Sequence, residues 1–142
     1  MKVVVAIDSF KGSATSAELN QAVKTAILSV FPKINVETFE IADGGEGSVS
    51  ALQSGLGGKL INVKTVDLMQ RPMHASYLLI DDCLAVIEAA EVVGIDKIKP
   101  NEKTIQEATT FGLGALLLDA KKRGATEIVL SLGGSGTSDG GL

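Results

Sequence analysis

Residues 3–13 read VVVAIDSFKGS, and this stretch sets the expectation for the fold. Its first five residues form a short, continuous apolar run, which is typical of a β-strand buried on both faces. The polar residues 8–13 that follow predict a loop at the carboxyl end of that strand. A buried strand of this kind favours an α/β fold, in which helices cover a largely parallel sheet.

The segments that follow keep strands and helices in alternation. Thr15 and Glu18 have the spacing of a capping box, so they predict a helix that begins there and ends at Pro32. Residues 34–41 are expected to form a second strand, and residues 48–56 a second helix. The glycine-rich stretch ADGGEG at residues 42–47 predicts a polar loop between them.

The middle of the chain has a different pattern. Residues 59–68, 74–80 and 84–87 are predicted to be extended and to form an antiparallel meander. Pro100 and Asn101 precede another helical region, which is best developed over residues 113–122. A last strand is predicted at 127–132. The predicted fold class is α/β, a Rossmann-like or flavodoxin-like layered sheet with flanking helices and an antiparallel middle section. We expect residues 1–58 and 104–142 to supply α/β loops around a cleft, and residues 59–90 to form the meander.

Composition narrows the class of protein. The 142 residues are 45% hydrophobic and only 4% aromatic, so the core must be aliphatic. A net charge of −4 argues against a nucleic-acid partner, because phosphate contacts need clustered Lys and Arg. No stretch approaches the ~20 apolar residues of a membrane span, and no signal-peptide pattern is present. We therefore predict a cytoplasmic protein without a nucleic-acid or membrane partner, and leave a homo-oligomer open.

Three polar loops share one chemistry: loop 1 (residues 8–13), loop 2 (residues 43–47) and loop 3 (residues 133–141). In open α/β sheets, ligands bind beyond the carboxyl ends of the strands. Glycines let backbone N–H groups approach a phosphate closely, and hydroxyl groups add further donors. The predicted phosphate or nucleotide ligands are Gly44, Gly45, Gly47, Gly133, Gly134, Ser135 and Thr137.

Charged side chains in the same loops indicate phosphoryl transfer. Asp43, Glu46 and Asp139 would repel a phosphate unless Mg²⁺ lay between them, so they are candidate metal ligands. Phosphate, carboxylates and a hard cation together favour phosphoryl transfer from a nucleotide. Lys11 is the candidate for stabilising charge on the transferring phosphoryl group. Asp43 or Asp139 could be the catalytic base while the other holds Mg²⁺, and the sequence does not separate these two roles.

Other interpretations stay open at this point. Each loop taken alone is also ordinary turn chemistry. Gly134, Gly136 and Gly140 loosely resemble a dinucleotide fingerprint, which favours an oxidoreductase domain, whereas no Walker motif is present. A catalytically silent fragment that binds a nucleotide or an organic acid is a further alternative. Arg71 is either a turn residue or a bidentate ligand of a substrate carboxylate, and Glu88 is a partly buried acid that is either paired or functional.

Five motifs carry a resemblance to a known family: AIDSFKGS (6–13), ADGGEGS (42–48), AVIEAAEVVGI (85–95), TTFGLGALLLDAKKRGAT (109–126) and LSLGGSGTSDGG (130–141). In their order and spacing, over nearly the whole chain, they resemble bacterial glycerate kinases of the glycerate 2-kinase type. The resemblance implies phosphorylation of D-glycerate by ATP and Mg²⁺ to a phosphoglycerate, with 2-phosphoglycerate as the expected product. It also implies a fold of two interleaved α/β domains with the substrate cleft between them.

The resemblance extends to single residues. Ser9 and Lys11 match the family's first motif, loop 2 matches its ADGGEG motif, and loop 3 matches its last glycine-rich motif. Ser9 and Arg71 are accordingly candidate substrate ligands. The departures are Ile7 in place of Pro, Gly136 in place of Ala and Ser138 in place of Asn. Because family members are longer, the resemblance implies an N-terminal part of a two-domain kinase, with half of the cleft missing.

Overall fold

A computed structural model describes residues 1–141 of the chain. Its elements, in order, are β1 (Lys2–Val5), α1 (Ser16–Val30), β2 (Asn35–Thr38), α2 (Ser48–Leu56), β3 (Lys59–Val66), β4 (Pro72–Ile80), β5 (Leu84–Glu88), α3 (Ala89–Val93), a 3₁₀ turn (Ile95–Lys97), α4 (Glu102–Glu107), α5 (Phe111–Lys122) and β6 (Glu127–Ser131). The predicted strands and helices are present with shifted ends, and α3 is an element that the sequence pattern did not indicate. The α/β class with flanking helices and an antiparallel middle section is confirmed.

The strands form two sheets rather than one. Strands β1 and β2 pair in parallel, with Val3 opposite Val36. The other sheet has the order β3-β4-β5-β6, in which β3, β4 and β5 are antiparallel neighbours and β5 pairs with β6 in parallel. The helical connection from β5 to β6 carries the chain back to start β6 beside β5, as parallel pairing requires.

Strand β1 is more exposed than its sequence predicts. Val4 is 57% exposed, although an apolar run of this type is expected to be buried on both faces. The reason is that β1 pairs only with β2 among the described strands, and α1 packs on this small sheet. Helix α1 itself begins as expected, because Thr15 and Glu18 make the predicted capping box.

The main core lies between the four-stranded sheet and helices α3 and α5. Its buried side chains include Leu68, Tyr77, Ile87, Val92 and Leu116. A smaller apolar cluster on the sheet is covered by α2, which places loop 2, just before α2, next to the end of β5.

Helix α5 and strand β6 lie against the strands of the meander, and the assignment of residues 1–58 and 104–142 to the loops of a cleft stays a prediction. Helix α5 packs on β3, and β6 pairs with β5, so both belong to the same body as the 59–88 meander. The physical cause is the parallel β5–β6 pairing, which a pattern of short apolar runs does not reveal. Within residues 1–141, no helix combines the length and apolar character needed to cross a membrane.

Candidate active site

Loops 2 and 3 meet through their backbones. The Gly133 N–H donates a hydrogen bond to the Gly44 carbonyl at 2.9 Å. A Cβ atom at Gly133 would lie only 2.7 Å from the Gly45 Cα, so this approach requires glycine. The two Asp- and Gly-containing loops therefore lie side by side, although Gly47 and Gly133 are 86 positions apart in the sequence.

Loops 1 and 2 line a common cleft of about 300 Å³. Ser9, Lys11 and Ser13 border it from loop 1, and Glu46 and Gly47 border it from loop 2. Lys11 is exposed, and among residues 1–141 no acidic group lies within ion-pair distance of its ammonium group. All three predicted loops thus join into one surface, in which loop 2 is the central member.

Asp43 stands at the start of loop 2 with its side chain exposed. Its Oδ1 atom accepts a hydrogen bond from the Gly45 N–H at 3.0 Å, which closes a local turn. Gly44 within that turn has φ +90°, a left-handed conformation that favours glycine. The turn fixes the direction of the carboxylate while leaving it in contact with solvent.

Asp139 in loop 3 is held more firmly. Its Oδ2 atom accepts hydrogen bonds from the Thr110 N–H at 2.7 Å and from the Thr110 hydroxyl at 3.0 Å, at the start of α5. Burial raises the pKa of Asp139, but hydrogen bonds from Thr110, Thr109 and Gly141 together outweigh it and leave the pKa below its usual value. Within residues 1–141, the Asp139 Oδ1 atom is buried and has no hydrogen-bond partner. The side chain is therefore an ionised carboxylate with one committed oxygen and one free oxygen.

The acidic side chains do not gather into a preformed metal cage. In the described part of the chain, no three His, Cys, Asp or Glu side chains come close enough together to hold a metal ion. Asp43, Glu46 and Asp139 therefore do not form a three-ligand cluster by themselves.

The remaining loop 3 residues are ordered by local hydrogen bonds. The hydroxyls of Ser135 and Thr137 lie 2.9 Å apart, and the Gly134 carbonyl accepts from the Ile95 N–H at 2.9 Å. Ser135, Thr137 and Asp139 also border a groove of about 790 Å³ whose walls are largely apolar side chains of α5 and β6. Loop 3 thus has polar groups on its surface and is fastened at both ends.

Arg71 lies in the turn between β3 and β4, and its hydrogen-bond partners lie outside the three loops. Its Nε atom donates to the Asp67 Oδ2 atom at 2.6 Å, and its Nη2 atom donates to the Lys97 carbonyl at 3.0 Å. Burial raises the pKa of Asp67, but hydrogen bonds from Arg71 and Met69 lower it overall. Arg71 therefore fastens the hairpin turn to the 3₁₀ turn, and the guanidinium is still mostly exposed.

Sequence reasoning missed a buried polar network beneath loops 1 and 2. Asn20 is 2% exposed, and its side chain accepts from the Ile7 N–H at 3.0 Å and donates to the Phe39 carbonyl at 2.9 Å. The buried Ser16 hydroxyl donates to the Ile7 carbonyl and accepts from the Ile41 N–H. The signal available in the sequence was an Asn directly after Leu19, which lies on the apolar face of α1.

Glu88 is a second residue whose role the sequence left open. It ends β5, is 7% exposed, and its two carboxylate oxygens accept from the Gly47 and Val49 N–H groups at 3.2 Å each. These donors belong to the end of loop 2 and the first turn of α2. The Gly47 amide, predicted to face phosphate, therefore faces a protein carboxylate in this structure.

Known proteins resemble this chain over its whole length. A family model described as "Glycerate kinase family" matches residues 3–142. The glycerate kinase of Bacillus cereus (strain ATCC 10987 / NRS 248) is 36% identical over 142 residues, which are 99% of this chain and 37% of that protein. The glycerate 2-kinase of Escherichia coli (strain K12) is 33% identical, again over 99% of this chain and 37% of that protein.

A solved structure agrees with the computed fold. The crystal structure of a protein assigned as glycerate kinase 2 from Salmonella typhimurium LT2 matches with a TM-score of 0.81 and 31% sequence identity. The match covers 100% of this chain and 38% of that chain. The present chain therefore spans little more than a third of the length of the relatives it resembles.

Proposed function

Because this chain belongs to the glycerate kinase family, we propose that its three loops serve the phosphorylation of D-glycerate by ATP. The observation that carries the proposal is the backbone contact between Gly44 and Gly133, which brings two loops of the predicted chemistry side by side. Loop 1 adds Lys11 and Ser9 across the cleft from loop 2. One surface thus offers amide donors, a cation and carboxylates, which are the groups that phosphoryl transfer requires.

The two aspartates take different roles in this proposal. Asp43 is the base that accepts the proton of the attacking glycerate hydroxyl, because its carboxylate is exposed. Asp139 is a poorer base, because its pKa is lowered and its Oδ2 atom is committed to Thr110. Lys11 stabilises negative charge on the transferring phosphoryl oxygens. Ser9 and Arg71 stay predictions as ligands of glycerate.

The residues present fit Mg²⁺ in a particular way. The free, buried Oδ1 atom of the ionised Asp139 lacks a positive partner within residues 1–141. Mg²⁺ usually takes one or two protein carboxylates and completes its shell with waters and substrate phosphates, so three clustered acids are not needed. Asp139, with Asp43 or Glu46, would hold the ion. When bound, it would neutralise charge on the ATP phosphates.

The reaction product, the phosphate ligands, the location and the oligomeric state complete the proposal. The product 2-phosphoglycerate follows from the resemblance and from the name of the E. coli relative, glycerate 2-kinase. The phosphate contacts of the loop 2 and loop 3 glycines, the cytoplasmic location and a homo-oligomeric state stay predictions.

The test is ADP release by the purified 142-residue chain with Mg²⁺ and ATP, with and without D-glycerate. We expect ADP that depends on D-glycerate and a phosphoglycerate whose position is read by ³¹P NMR. Omission of Mg²⁺ is expected to abolish the signal. ADP release that is unaffected by D-glycerate would contradict the proposed substrate.

A second candidate is binding without turnover by this chain alone. It is favoured by one observation, which is that the chain covers only about 37% of the curated relatives. Calorimetric titration with Mg²⁺-ATP or D-glycerate would then show heat of binding while no ADP forms. The same titration with NAD tests the dinucleotide-binding alternative. Heat of binding would support that alternative, and its absence would contradict it.

A further inference from the structure

Glu88 is a buried acid for which the proposed reaction has no direct use. It ends the apolar strand β5 and is 7% exposed. Among residues 1–141, no Lys, Arg or His lies within ion-pair distance of its carboxylate. An unpaired buried carboxylate is costly, and it is expected only where hydrogen bonds compensate for the lost solvation.

The compensation comes from the start of helix α2. The Gly47 N–H donates to Oε1 and the Val49 N–H donates to Oε2, each at 3.2 Å. Gly47 is the N-cap residue of α2, has φ +89° and has no side chain that could cap the helix. Glu88 therefore supplies the missing cap from strand β5, and its negative charge lies where the helix dipole favours an anion.

The same residue stands next to loop 3. In the parallel pairing of β5 with β6, Glu88 is the register partner of Ser131, two residues before Gly133. Gly133 in turn donates its N–H to Gly44 in loop 2. Glu88 thus lies at the junction where both loops leave their supporting elements.

The surroundings of Glu88 disfavour the ionised form of its side chain. Burial raises the pKa of Glu88, the hydrogen bonds from Val49 and Gly47 oppose this, and the nearby Glu91 and Glu46 raise the pKa further. A local Ser or Thr cap would hold the helix without a buried charge. A long side chain from β5 also fastens loop 2 to the sheet that carries loop 3.

We propose that Glu88 is a positioning residue, which holds loop 2 and its Asp43 in register with loop 3 by capping α2 from the end of β5. The reaction that this serves is the proposed glycerate phosphorylation, on which this inference rests. Glu88 contacts only backbone N–H groups of its own chain and acts through loop 2.

The test compares Glu88→Gln and Glu88→Ala with wild type by amide hydrogen exchange of the 142-residue chain. We expect the Gly47 and Val49 amides to exchange at least about tenfold faster in Glu88→Ala and to be intermediate in the isosteric Glu88→Gln. The decisive readout is the Gly133 amide, which should also lose protection because loop 2 is released. Loss of the helix cap alone would not affect that amide.

Glu91→Gln is the matched control. Its carboxylate accepts from the Ser76 N–H and does not touch loop 2, so the Gly47, Val49 and Gly133 amides should keep their wild-type rates. Wild-type exchange at Gly133 in both Glu88 variants would overturn the proposal. Where wild type releases ADP, Glu88→Gln should lower kcat at least about tenfold with little change in KM. Absence of ADP from wild type would contradict the proposed function, while the exchange rates still decide the role of Glu88.

Discussion

The amino-terminal layer (residues 1–47) and the four-stranded sheet (residues 59–131) are held together by different forces. In the layer, the buried hydrophobic side chains are Val5 and Val36, and two polar residues, Ser16 and Asn20, are as deeply buried. The sheet instead encloses a continuous aliphatic core that extends from β3–β5 to α3 and α5. Directional hydrogen bonds position the first region, and apolar packing positions the second.

The difference matters because the candidate site spans both regions. Loops 1 and 2 leave the layer, whereas loop 3 leaves the sheet at the end of β6. We infer that the sheet supplies most of the stability, and that the layer supplies most of the groups that act on phosphate.

Substitution Asp43→Asn should have the largest effect on turnover. Removing the proposed base should lower kcat for ADP release roughly 10²–10⁴-fold, with little change in the free energy of unfolding. The matched control is Asp81→Asn in the β4–β5 turn, where φ is +49° and Asn is well tolerated. A loss of less than about tenfold in Asp43→Asn would exclude the role of base.

Substitution Leu116→Ala should have the largest effect on stability. Leu116 is fully buried in the sheet's core, so truncation should cost about 2–5 kcal/mol of unfolding free energy. Leu118→Ala, on the exposed side of the same helix, should change it by about 0.5 kcal/mol or less. Urea unfolding measures both. Equal values for the two variants would show that α5 does not anchor the core.

Much of this organisation follows from local sequence, and some of it does not. Thr15 is an N-cap at the expected position, because capping depends on residues within one turn. Loop 2 and loop 3 were recognisable from their glycines for the same reason. The contact of Glu88 with Gly47 joins residues 41 positions apart, and no local pattern reports it. The division into two sheets likewise depends on which strands meet, which is a tertiary property.

Asn20→Ala tests whether polar groups hold the layer. The variant leaves the Ile7 N–H and the Phe39 carbonyl without their partner, so unfolding should cost about 1–3 kcal/mol less. Gln21→Ala, one residue further on the exposed side of α1, is the control. Exchange of the Ile7 amide should rise in Asn20→Ala only. A free energy of unfolding equal to that of Gln21→Ala would show that the network is dispensable.

The smallest effect is expected for Tyr77→Phe within the sheet. Burial, followed by the hydrogen bond to Asp119, raises the pKa of Tyr77 to about 12. Its unfolded pKa is about 10, so the folded state keeps a proton that the unfolded state loses. Wild-type stability should therefore fall as pH rises from about 10 to 12, and the variant should lack this part of the fall. Urea unfolding at several pH values measures this difference. The same fall in unfolding free energy for wild type and Tyr77→Phe over that pH range would contradict the raised pKa of Tyr77.

The most direct test of the central claim, that three loops from two regions form one binding surface, is an amide shift titration of the ¹⁵N-labelled chain with Mg²⁺-ATP and then D-glycerate. We expect Lys11, Gly44 and Gly134, one residue from each loop, to shift along a single saturation curve. Shifts confined to one loop, or curves with different midpoints, would contradict a common site.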